Sequence, residues 1–468
     1  MKRAADARWT RYTGVREIHG PLLVVTGVNG AGWDELVRVE LADGRVRHGL
    51  VLEADGDLAV VQLFEGTDAI DPGAVAVEFT GGPLRIAVGD GWLGRVCGGR
   101  GVPIDGGPPI TGHPVPVAGA PLNPMHRIPP AEPVLTGISV IDVLATLVRG
   151  QKLPVFSAPG LPHLRLACQI AAQSATGGEP FCVVFAGMGL THADAAYTRE
   201  ALEERSAAGE LVLLLNLAGD PVIERLLTPR LALTIAENLA FEGGRHVLVV
   251  LGDMTNYADA LREVSAARGE LPGRRAYPSY LYSDLAALYE RCGRITGQPG
   301  SVTVVPVLTM PGGDLTHPVP DLTGYITEGQ LVLSGDLHAR GVYPPIDMLS
   351  SLSRLMRNGA GPGRTRADHL PLAAQLLAVL ARARQARELA ELIGADGLTP
   401  VDRAHLAAEE AFTREFVNQG PGAVRTLDDS LDRAWRALDP LPRRALSMLP
   451  DELLDAYRPV TGAAATEG

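Results

Sequence analysis

The middle of the chain alternates short, wholly apolar segments with amphipathic ones, and few folds accommodate that pattern. The apolar segments are typical of strands and occupy residues 154–157, 181–185, 211–217, 246–251 and 302–308. Helical periodicity marks the residues between them, at 164–175, 193–208, 221–241 and 257–268. Strands that are apolar on both faces occur in parallel sheets covered by helices on both sides. The alternation therefore predicts an α/β domain built on a parallel sheet.

The residues before this region have the pattern of a small β-barrel. Their apolar runs are 22–26, 36–41, 45–52, 58–63 and 75–79. Turns containing Gly and Asp separate these runs, and five or six short strands at such spacing predict a barrel or sandwich, of which we assign the barrel. Proline and glycine then crowd residues 98–133, which indicates a series of turns linking the barrel to the α/β region.

The residues after the α/β region have a helical pattern. Leu and Ala recur at three- and four-residue spacing within 370–393, 402–416 and 427–438, which predicts a helical bundle. The predicted domains are a β-barrel at 1–84, the α/β domain at 85–364, and the bundle at 365–468 with a frayed tail from Val460. Arg382, Arg384 and Arg387 are predicted to lie on a solvated face of the first bundle helix.

Composition excludes several classes of protein. With 46 % hydrophobic and 21 % charged residues, the chain is typical of a folded globular protein. A formal net charge of −12 disfavours general binding to nucleic acid or anionic lipid. The longest apolar runs fall far short of the ~20 residues that span a bilayer, and the polar N-terminus lacks the core of a signal peptide. The separated cysteines, Cys97, Cys168, Cys182 and Cys292, are predicted to be buried apolar residues in a reducing cytoplasm.

The loop after the first strand of the α/β region is where a phosphate would bind. Against the phosphate-loop pattern G-x-x-x-x-G-K-[ST], Ser157 takes the first glycine, Pro162 the second, His163 the lysine and Leu164 the hydroxyl position. Proline removes a backbone N–H, histidine is shorter and mostly neutral at pH 7, and leucine offers no ligand to Mg²⁺. This degenerate loop, which also contains Gly160, is not expected to bind phosphate tightly.

Lysine is scarce in this chain, because only Lys2 and Lys152 occur among its 42 basic residues. Lys152 precedes the strand, so neither lysine replaces the missing one of the phosphate loop. We therefore expect that the chain does not hydrolyse ATP by itself.

Asp253 follows the apolar run 246–251, where nucleotide-binding sheets place an aspartate near Mg²⁺. A strand-terminal aspartate caps the following helix more often, so capping is the preferred interpretation and no metal site is assigned. His163, His246, His317 and His338 lack the spacing of metal ligands and are interpreted as packing or loop residues.

The most specific motif runs from Pro344 to Arg354 and reads P-x-I-D-x-x-x-S-x-S followed by arginine. With this motif, the degenerate loop and the order of domains, the whole chain resembles the B subunit of the A-type/V-type rotary ATPases, members of the ATPase alpha/beta chain family. The matching segments are 94–96, 103–107, 136–139, 149–154, 158–163, 253–257, 265–268, 320–330 and 416–420. The resemblance implies that the central parallel-sheet domain is RecA-like and of the nucleotide-binding type.

The resemblance also implies a non-catalytic, regulatory role in a proton- or sodium-translocating ATP synthase/ATPase. Three B chains would alternate with three catalytic A chains around a central rotor shaft, with a peripheral stalk, on the cytoplasmic side of the membrane. The chain would contact the membrane only through the complex and bind no nucleic acid. ATP or ADP with Mg²⁺ would lie at the A–B interface, with no cofactor bound tightly by this chain.

By motif match, Arg354 would be the arginine finger that acts in trans at that interface. Thr316 matches a position that the family places near the same interface, although an ordinary loop-capping threonine is the preferred interpretation. Catalytic relatives carry a G-E-R glutamate where this chain has 187–191 without a carboxylate. Ser350 departs from the family pattern, since many relatives have proline there. Contact between the arginine-bearing bundle helix and the shaft is an alternative to its solvated face.

Two other classes of protein stay open on the sequence. One is a self-sufficient NTPase with an unorthodox phosphate loop. The other is a nucleic-acid-translocating ring related to Rho-type helicases, which the negative net charge disfavours.

Overall fold

The computed structural model describes residues 10–20 and 22–458. Lys2, most of the polar N-terminal segment and the tail from Val460 lie outside the described residues.

The N-terminal domain is an antiparallel sheet that encloses its own apolar core. Its strands pair in the order β1-β7-β4-β5-β6-β3-β2. They are β1 (Thr10–Tyr12), β2 (Val15–His19), β3 (Leu22–Thr26), β4 (Glu35–Glu40), β5 (Val46–Asp55), β6 (Leu58–Leu63) and β7 (Ala76–Pro83). Alternate residues such as Val37 and Val39 are fully buried and face the core, while their neighbours are partly exposed. The sequence missed β1 and β2, which are mostly exposed and carry a weak apolar signal.

A segment of short elements connects this sheet to the central domain. It contains β8 (Arg85–Val88), β9 (Val96–Gly98), β10 (His113–Pro116), β11 (Arg127–Ile128), β12 (Pro133–Val134), α1 (Ser139–Leu144) and β13 (Leu147–Val148). Strands β8 and β10 form a separate antiparallel pair, whereas β9 extends the central sheet.

The central domain is built on a mostly parallel sheet with the order β21-β20-β14-β19-β17-β15-β16-β9. Its strands are β14 (Val155–Ser157), β15 (Phe181–Leu190), β16 (Leu211–Leu217), β17 (His246–Gly252), β18 (Gly293–Ile295), β19 (Ser301–Thr309), β20 (Gly329–Val332) and β21 (Leu352–Ser353). Its helices are α2 (His163–Gln173), α3 (His192–Ala201), α4 (Glu203–Ala207), α5 (Val222–Glu237), α6 (Met254–Ala267), α7 (Leu281–Tyr289), α8 (Pro318–Ile326), α9 (Gly335–Ala339) and α10 (Met356–Gly359).

Both faces of this sheet are covered, as continuous apolar strands require. On β15, Val183 and Phe185 pack into one apolar core, while Cys182 and Val184 pack into the other. All four cysteines are buried and free, as the sequence predicted.

The C-terminal domain is helical and shares one core with the central sheet. It comprises α11 (His369–Ile393), α12 (Pro400–Ala411), α13 (Leu427–Ala437) and α14 (Asp451–Tyr457). Thr399 and Asp402 form a reciprocal capping box at the start of α12. Within the described part of the chain, no helix combines the length and the apolar character that crossing a bilayer demands.

Candidate functional site

The degenerate phosphate loop occupies the turn between β14 and α2, at the carboxyl ends of the parallel strands. The N–H of His163 donates to the carbonyl of Leu161 at 2.8 Å, and the N–H of Leu161 donates to the carbonyl of Ala158 at 3.3 Å. Pro162 has no N–H and provides no side-chain cap to α2. One backbone donor of the phosphate loop is therefore missing, and those of Leu161 and His163 are already bonded within the loop.

The side chain of His163 is also engaged inside the loop. Its Nδ1 lies 3.0 Å from the carbonyl oxygen of Leu161 and 3.4 Å from Oγ of Ser157. The hydroxyl of Ser157 lies 2.9 Å from the carbonyl oxygen of Ala158, to which it donates. The predicted loop residues Ser157 and His163 are thus brought together, but their polar groups bond within the loop.

A cleft of about 760 Å³ opens beside this loop. Its polar lining includes His163, Arg165, Asp194, Asp253 and His338. The sequence interpretation treated His163 and His338 as isolated, but both line this cleft, since α9 approaches the end of the sheet. No sequence spacing indicated their proximity, because 175 residues separate them and the fold alone joins them.

Asp253 caps a helix, the preferred of its two sequence interpretations. Its Oδ1 accepts from the N–H of Thr255 at 2.7 Å at the start of α6. Its Oδ2 accepts from the N–H of Thr309 at 3.1 Å and also from that residue's hydroxyl. Burial raises the pKa of Asp253, while the bonds from Thr309 and Thr255 oppose that shift. Both carboxylate oxygens are therefore occupied by protein donors.

The segment 187–191 contains no carboxylate, and the cleft's other acidic residue, Asp194, comes just after it. Thr191 caps α3 by accepting from the N–H of Asp194 at 3.1 Å. The hydroxyl of Thr191 donates to Oδ2 of Asp194 at 2.7 Å. Asp194 therefore has a capping role at this helix start. Within the described part of the chain, no three His, Cys, Asp or Glu side chains cluster as metal ligands.

The motif 344–354 forms a hydrogen-bonded turn that ends in the edge strand β21. Asp347 accepts from the N–H of Leu349 at 3.0 Å and from the hydroxyl of Ser350 at 2.6 Å. Ser351 donates to the carbonyl of Asp347 at 2.6 Å and accepts from the N–H of Val332 at 2.9 Å. The motif's aspartate and serines therefore fix the path of the chain into β21.

Strand β21 pairs antiparallel with β20, with Ser353 opposite Gly329. Gly329 has φ of 149°, and a Cβ there would lie 2.3 Å from the carbonyl oxygen of Leu352. Only glycine permits the strands to approach this closely.

Arg354 follows β21 directly and is exposed at the edge of the sheet. Its N–H donates to the carbonyl of Glu328 at 2.9 Å, and its Nη1 donates to the carbonyl of Thr327 at 3.1 Å. Among the described residues, no carboxylate lies within ion-pair distance of its guanidinium. One side of the guanidinium is thus held by a neutral carbonyl, and the remaining N–H groups are available to an anion.

Arg354 and the degenerate loop lie at opposite ends of the sheet. Strand β20 runs parallel to β14, and Val155 pairs with Leu331. Arg354 bonds to Glu328, whose N–H donates to the carbonyl of Lys152. Arg354 is therefore level with Lys152. Because Lys152 precedes Ser157 by five residues, Arg354 lies about 16 Å from Ser157 along the strands.

Lys152, the only lysine among the described residues, is a buried structural residue. Its Nζ lies 2.6 Å from Oε1 of Glu328 and 3.1 Å from Oε1 of Glu290. Burial opposes its charge, but these two carboxylates raise the pKa of Lys152 above its usual value. It is committed to this ion pair and lies far from the phosphate loop.

Thr316 lies in the loop after β19, at the carboxyl end of the sheet and far from Arg354. Its hydroxyl donates to Oδ1 of Asp314 at 2.7 Å, and its N–H donates to the same atom at 2.8 Å. Arg275 contacts the other oxygen of Asp314 at 2.8 Å. The structure does not bring Thr316 and Arg354 together, and the geometry of Thr316 is that of a capped turn.

The arginines of α11, Arg382, Arg384 and Arg387, are exposed, as the sequence predicted. Arg384 and Arg387 border a cavity of about 190 Å³ between the central domain and the bundle. Arg384 lies 3.4 Å from the carboxylate of Asp347, and Arg387 pairs with Glu409 of α12. Both side chains stay about half exposed, so the ion pairs lie on the solvated face, and the sequence did not show that acidic partners lie beside them.

Comparison with known proteins covers every domain. Three family models match: the beta-barrel domain of the ATP synthase alpha/beta family at 15–81, the nucleotide-binding domain of that family at 137–353, and the C-terminal domain of V and A type ATP synthase at 358–458. The B subunit of the A-type ATP synthase of Aeropyrum pernix is 51 % identical over 451 residues, which is 96 % of this chain and 97 % of that protein. The chain belongs to the ATP synthase alpha/beta family, among the A-type B subunits.

A solved structure agrees with this membership in the A-type B subunits. The ATP synthase subunit NeqB from Nanoarcheaum equitans superposes with a TM-score of 0.72 at 38 % identity, covering 90 % of this chain and 98 % of that one. The predicted fold is thereby confirmed as an N-terminal β-barrel, a central nucleotide-binding domain and a C-terminal helical domain of the V/A type. As a member of this family, the chain is a subunit of a rotary ATP synthase.

Proposed function

We propose that this chain is the non-catalytic, regulatory subunit of a proton- or sodium-translocating A/V-type ATP synthase/ATPase and that Arg354 acts in an ATP site held mainly by a neighbouring catalytic subunit. Three copies would alternate with three catalytic A chains around the rotor shaft, tied by the peripheral stalk, on the cytoplasmic side of the membrane. The observation that carries the proposal is the exposed Arg354, which has no carboxylate partner among the described residues.

The position of Arg354 supports action in trans. Its guanidinium is level with Lys152, about 16 Å along the strands from the chain's own cleft. An arginine side chain does not span that distance, so Arg354 cannot serve a nucleotide in the cleft beside Ser157. A neighbouring subunit packed against the β21 edge would be within its reach.

The chemistry of arginine suits this role. Its guanidinium is planar, permanently charged and able to bind two phosphoryl oxygens at once. A finger supplied in trans contributes about 10³–10⁵ in rate by stabilising charge on the transferring phosphoryl group. Because the finger and the phosphate loop would belong to different subunits, hydrolysis would depend on closure of the interface, which rotation of the shaft can control.

The chain's own cleft does not fit a magnesium nucleotide. The lysine and hydroxyl positions of its phosphate loop hold His163 and Leu164. The N–H of His163 is bonded to Leu161, and both oxygens of Asp253 accept protein hydrogen bonds. No step of hydrolysis is therefore assigned to this cleft.

The test replaces Arg354 in a ring reconstituted with the catalytic subunit. Arg354→Lys keeps the charge but loses the bidentate geometry, so turnover of the ring should fall at least about tenfold while assembly is unchanged. Arg357→Lys, at an exposed arginine on α10, is the matched control and should leave turnover unchanged. Wild-type turnover in the Arg354→Lys ring would show that Arg354 is only structural.

Assays of the purified chain without a catalytic partner distinguish the proposal from its two alternatives. Measurable ATP turnover without a catalytic partner would indicate a self-sufficient NTPase. A salt-sensitive complex with RNA would indicate a Rho-like translocating ring. Neither activity is expected.

A further inference from the structure

Gln151 is a fully buried glutamine whose side chain contacts the strand that carries Arg354. Its Nε2 donates to Oγ of Ser353 at 2.8 Å and to the carbonyl oxygen of Glu328 at 3.1 Å. Its Oε1 accepts from the N–H of Val148 at 2.9 Å. The amide N–H groups of Gln151 therefore bond to Ser353, which precedes Arg354, and to Glu328, which is hydrogen-bonded to it. The amide oxygen is fixed by the N–H of Val148.

The carbonyl oxygen of Glu328 is the same atom that accepts from the N–H of Arg354. The carboxylate of Glu328 is fixed by Lys152, whose N–H lies 2.8 Å from Oε2 and whose Nζ lies 2.6 Å from Oε1. The backbone of Glu328, to which the N–H of Arg354 donates, is thus held in place by the side chain of Glu328 and by Gln151. The main chain of Gln151 is itself bonded to Val304 in the centre of the sheet.

We propose that Gln151 is a positioning residue for Arg354. A polar side chain in a fully buried place is unfavourable unless its hydrogen bonds are made, and an apolar residue would fill this space without that cost. The hydrogen bonds of Gln151 instead fix Ser353 and Glu328, so that the guanidinium projects from a backbone that does not shift. Misplacement of a reacting group by about 1 Å can cost up to about 100-fold in rate. The inference rests on the proposed role of Arg354.

A double-mutant cycle in the reconstituted ring tests this inference. Gln151→Leu removes the amide but keeps the apolar volume, and should lower kcat about tenfold with little change in KM. In an Arg354→Ala ring, whose hydrolysis is followed by single turnover of labelled ATP, adding Gln151→Leu should change the rate less than twofold. Two residues that act through one group show this non-additivity. A merely structural role would give the same loss in both backgrounds.

Buried Gln375 provides the matched control, because its Nε2 donates to the carbonyl of Ala445 and its Oε1 accepts from the N–H of Met448 inside the bundle. Gln375→Leu should lower the melting temperature of the chain as Gln151→Leu does, but should leave kcat unchanged. If Gln151→Leu prevents folding, Ser353→Ala removes one partner of the amide and enters the same cycle, with an expected loss of about threefold.

The outcomes separate the two proposals. An unchanged kcat in Gln151→Leu, or an equal loss in both backgrounds, overturns the positioning role and leaves the finger in place. A wild-type rate in the Arg354→Ala ring overturns the proposed function itself, and the positioning role with it.

Discussion

The two ends of the central sheet use polar residues in opposite ways. At the carboxyl end, His163, Asp194 and Asp253 are bonded to neighbouring loop and helix groups. At the amino end, Arg354 projects from the edge with one guanidinium nitrogen on a carbonyl and no carboxylate partner among the described residues. Self-satisfied polar groups stabilise a fold, whereas a charge left without a counter-ion is available to another molecule. The polar groups at the carboxyl end thus stabilise the fold itself, whereas the edge at the amino end leaves one charged group without a counter-ion among the described residues.

Removing the carboxylate of Asp253 should have the largest effect on stability at the carboxyl end. Asp253→Ala loses the cap of α6, about 1 kcal/mol, and leaves the partly buried donors of Thr309 without their acceptors, a further loss of about 1–3 kcal/mol. The free energy of unfolding should fall by about 2–4 kcal/mol, measured by urea denaturation of the isolated chain. Turnover per assembled ring should stay at the wild-type level.

Asp253→Asn is the control for that prediction. Asparagine caps helices about as well as aspartate, so the asparagine variant should lose less stability than the alanine variant. If the asparagine variant lost as much stability as the alanine variant, the contrast between the two ends of the central sheet would not hold. If Mg²⁺-dependent nucleotide binding changed while stability did not, Asp253 would be handling a metal ion.

Glu224, at the start of α5, allows a pH-dependent test of the carboxyl end of the central sheet. Its Oε1 lies 2.9 Å from Nε of Arg100, which also pairs with Glu65 of the barrel, and Asp220 is the other acidic group acting on it. Burial raises the pKa of Glu224 to about 7, against the opposing attraction of Arg100. A carboxyl group whose pKa is raised on folding stabilises the fold below its unfolded pKa of 4.5 and loses that contribution as the pH rises through 7.

The comparison variant is Glu224→Gln, which cannot ionise. It should match the wild type near pH 4 and be more stable by about 1–2 kcal/mol at pH 8. Unfolding curves across this pH range measure the difference. A wild type that instead gained stability relative to the variant with rising pH would mean that the Arg100 pair outweighs burial.

Thr316 should show the smallest effect. Its hydroxyl bonds to Asp314 within an exposed turn, so Thr316→Val should change the free energy of unfolding by no more than about 0.5 kcal/mol. Ring turnover should be unchanged. A loss of turnover comparable to that of Arg354→Lys would place Thr316 at the interfacial site and remove it from the self-satisfied end.

Much of the fold was predictable because the apolar patterns are strong. The strands at 22–26, 58–63 and 211–217 were predicted at their observed bounds. The prediction for 193–208 was less accurate, since the structure divides it into α3 and α4. Strands β20 and β21 were missed because they are short and their pairing is set by distant segments, so local periodicity carries little signal.

The site was less predictable from its residues. The absence of the phosphate-loop lysine could be read directly, because the pattern is local. The partners of Asp253, Arg384 and Gln151 could not, since each bonds to a group at least 37 residues away in the sequence. Thr309 and Ser353 carry no local signal that they would meet Asp253 and Gln151. Only the crossover connections of the sheet bring them together.

Both outer strands of the central sheet are very short, with β21 at Leu352–Ser353 and β9 at Val96–Gly98. Short edge strands leave few unpaired backbone groups onto which a strand of another molecule can add. A chain synthesised before its partners therefore resists polymerising through its sheet. Its association with other subunits of the synthase then depends on side chains at the sheet edges, so that the free chain stays available for assembly instead of aggregating.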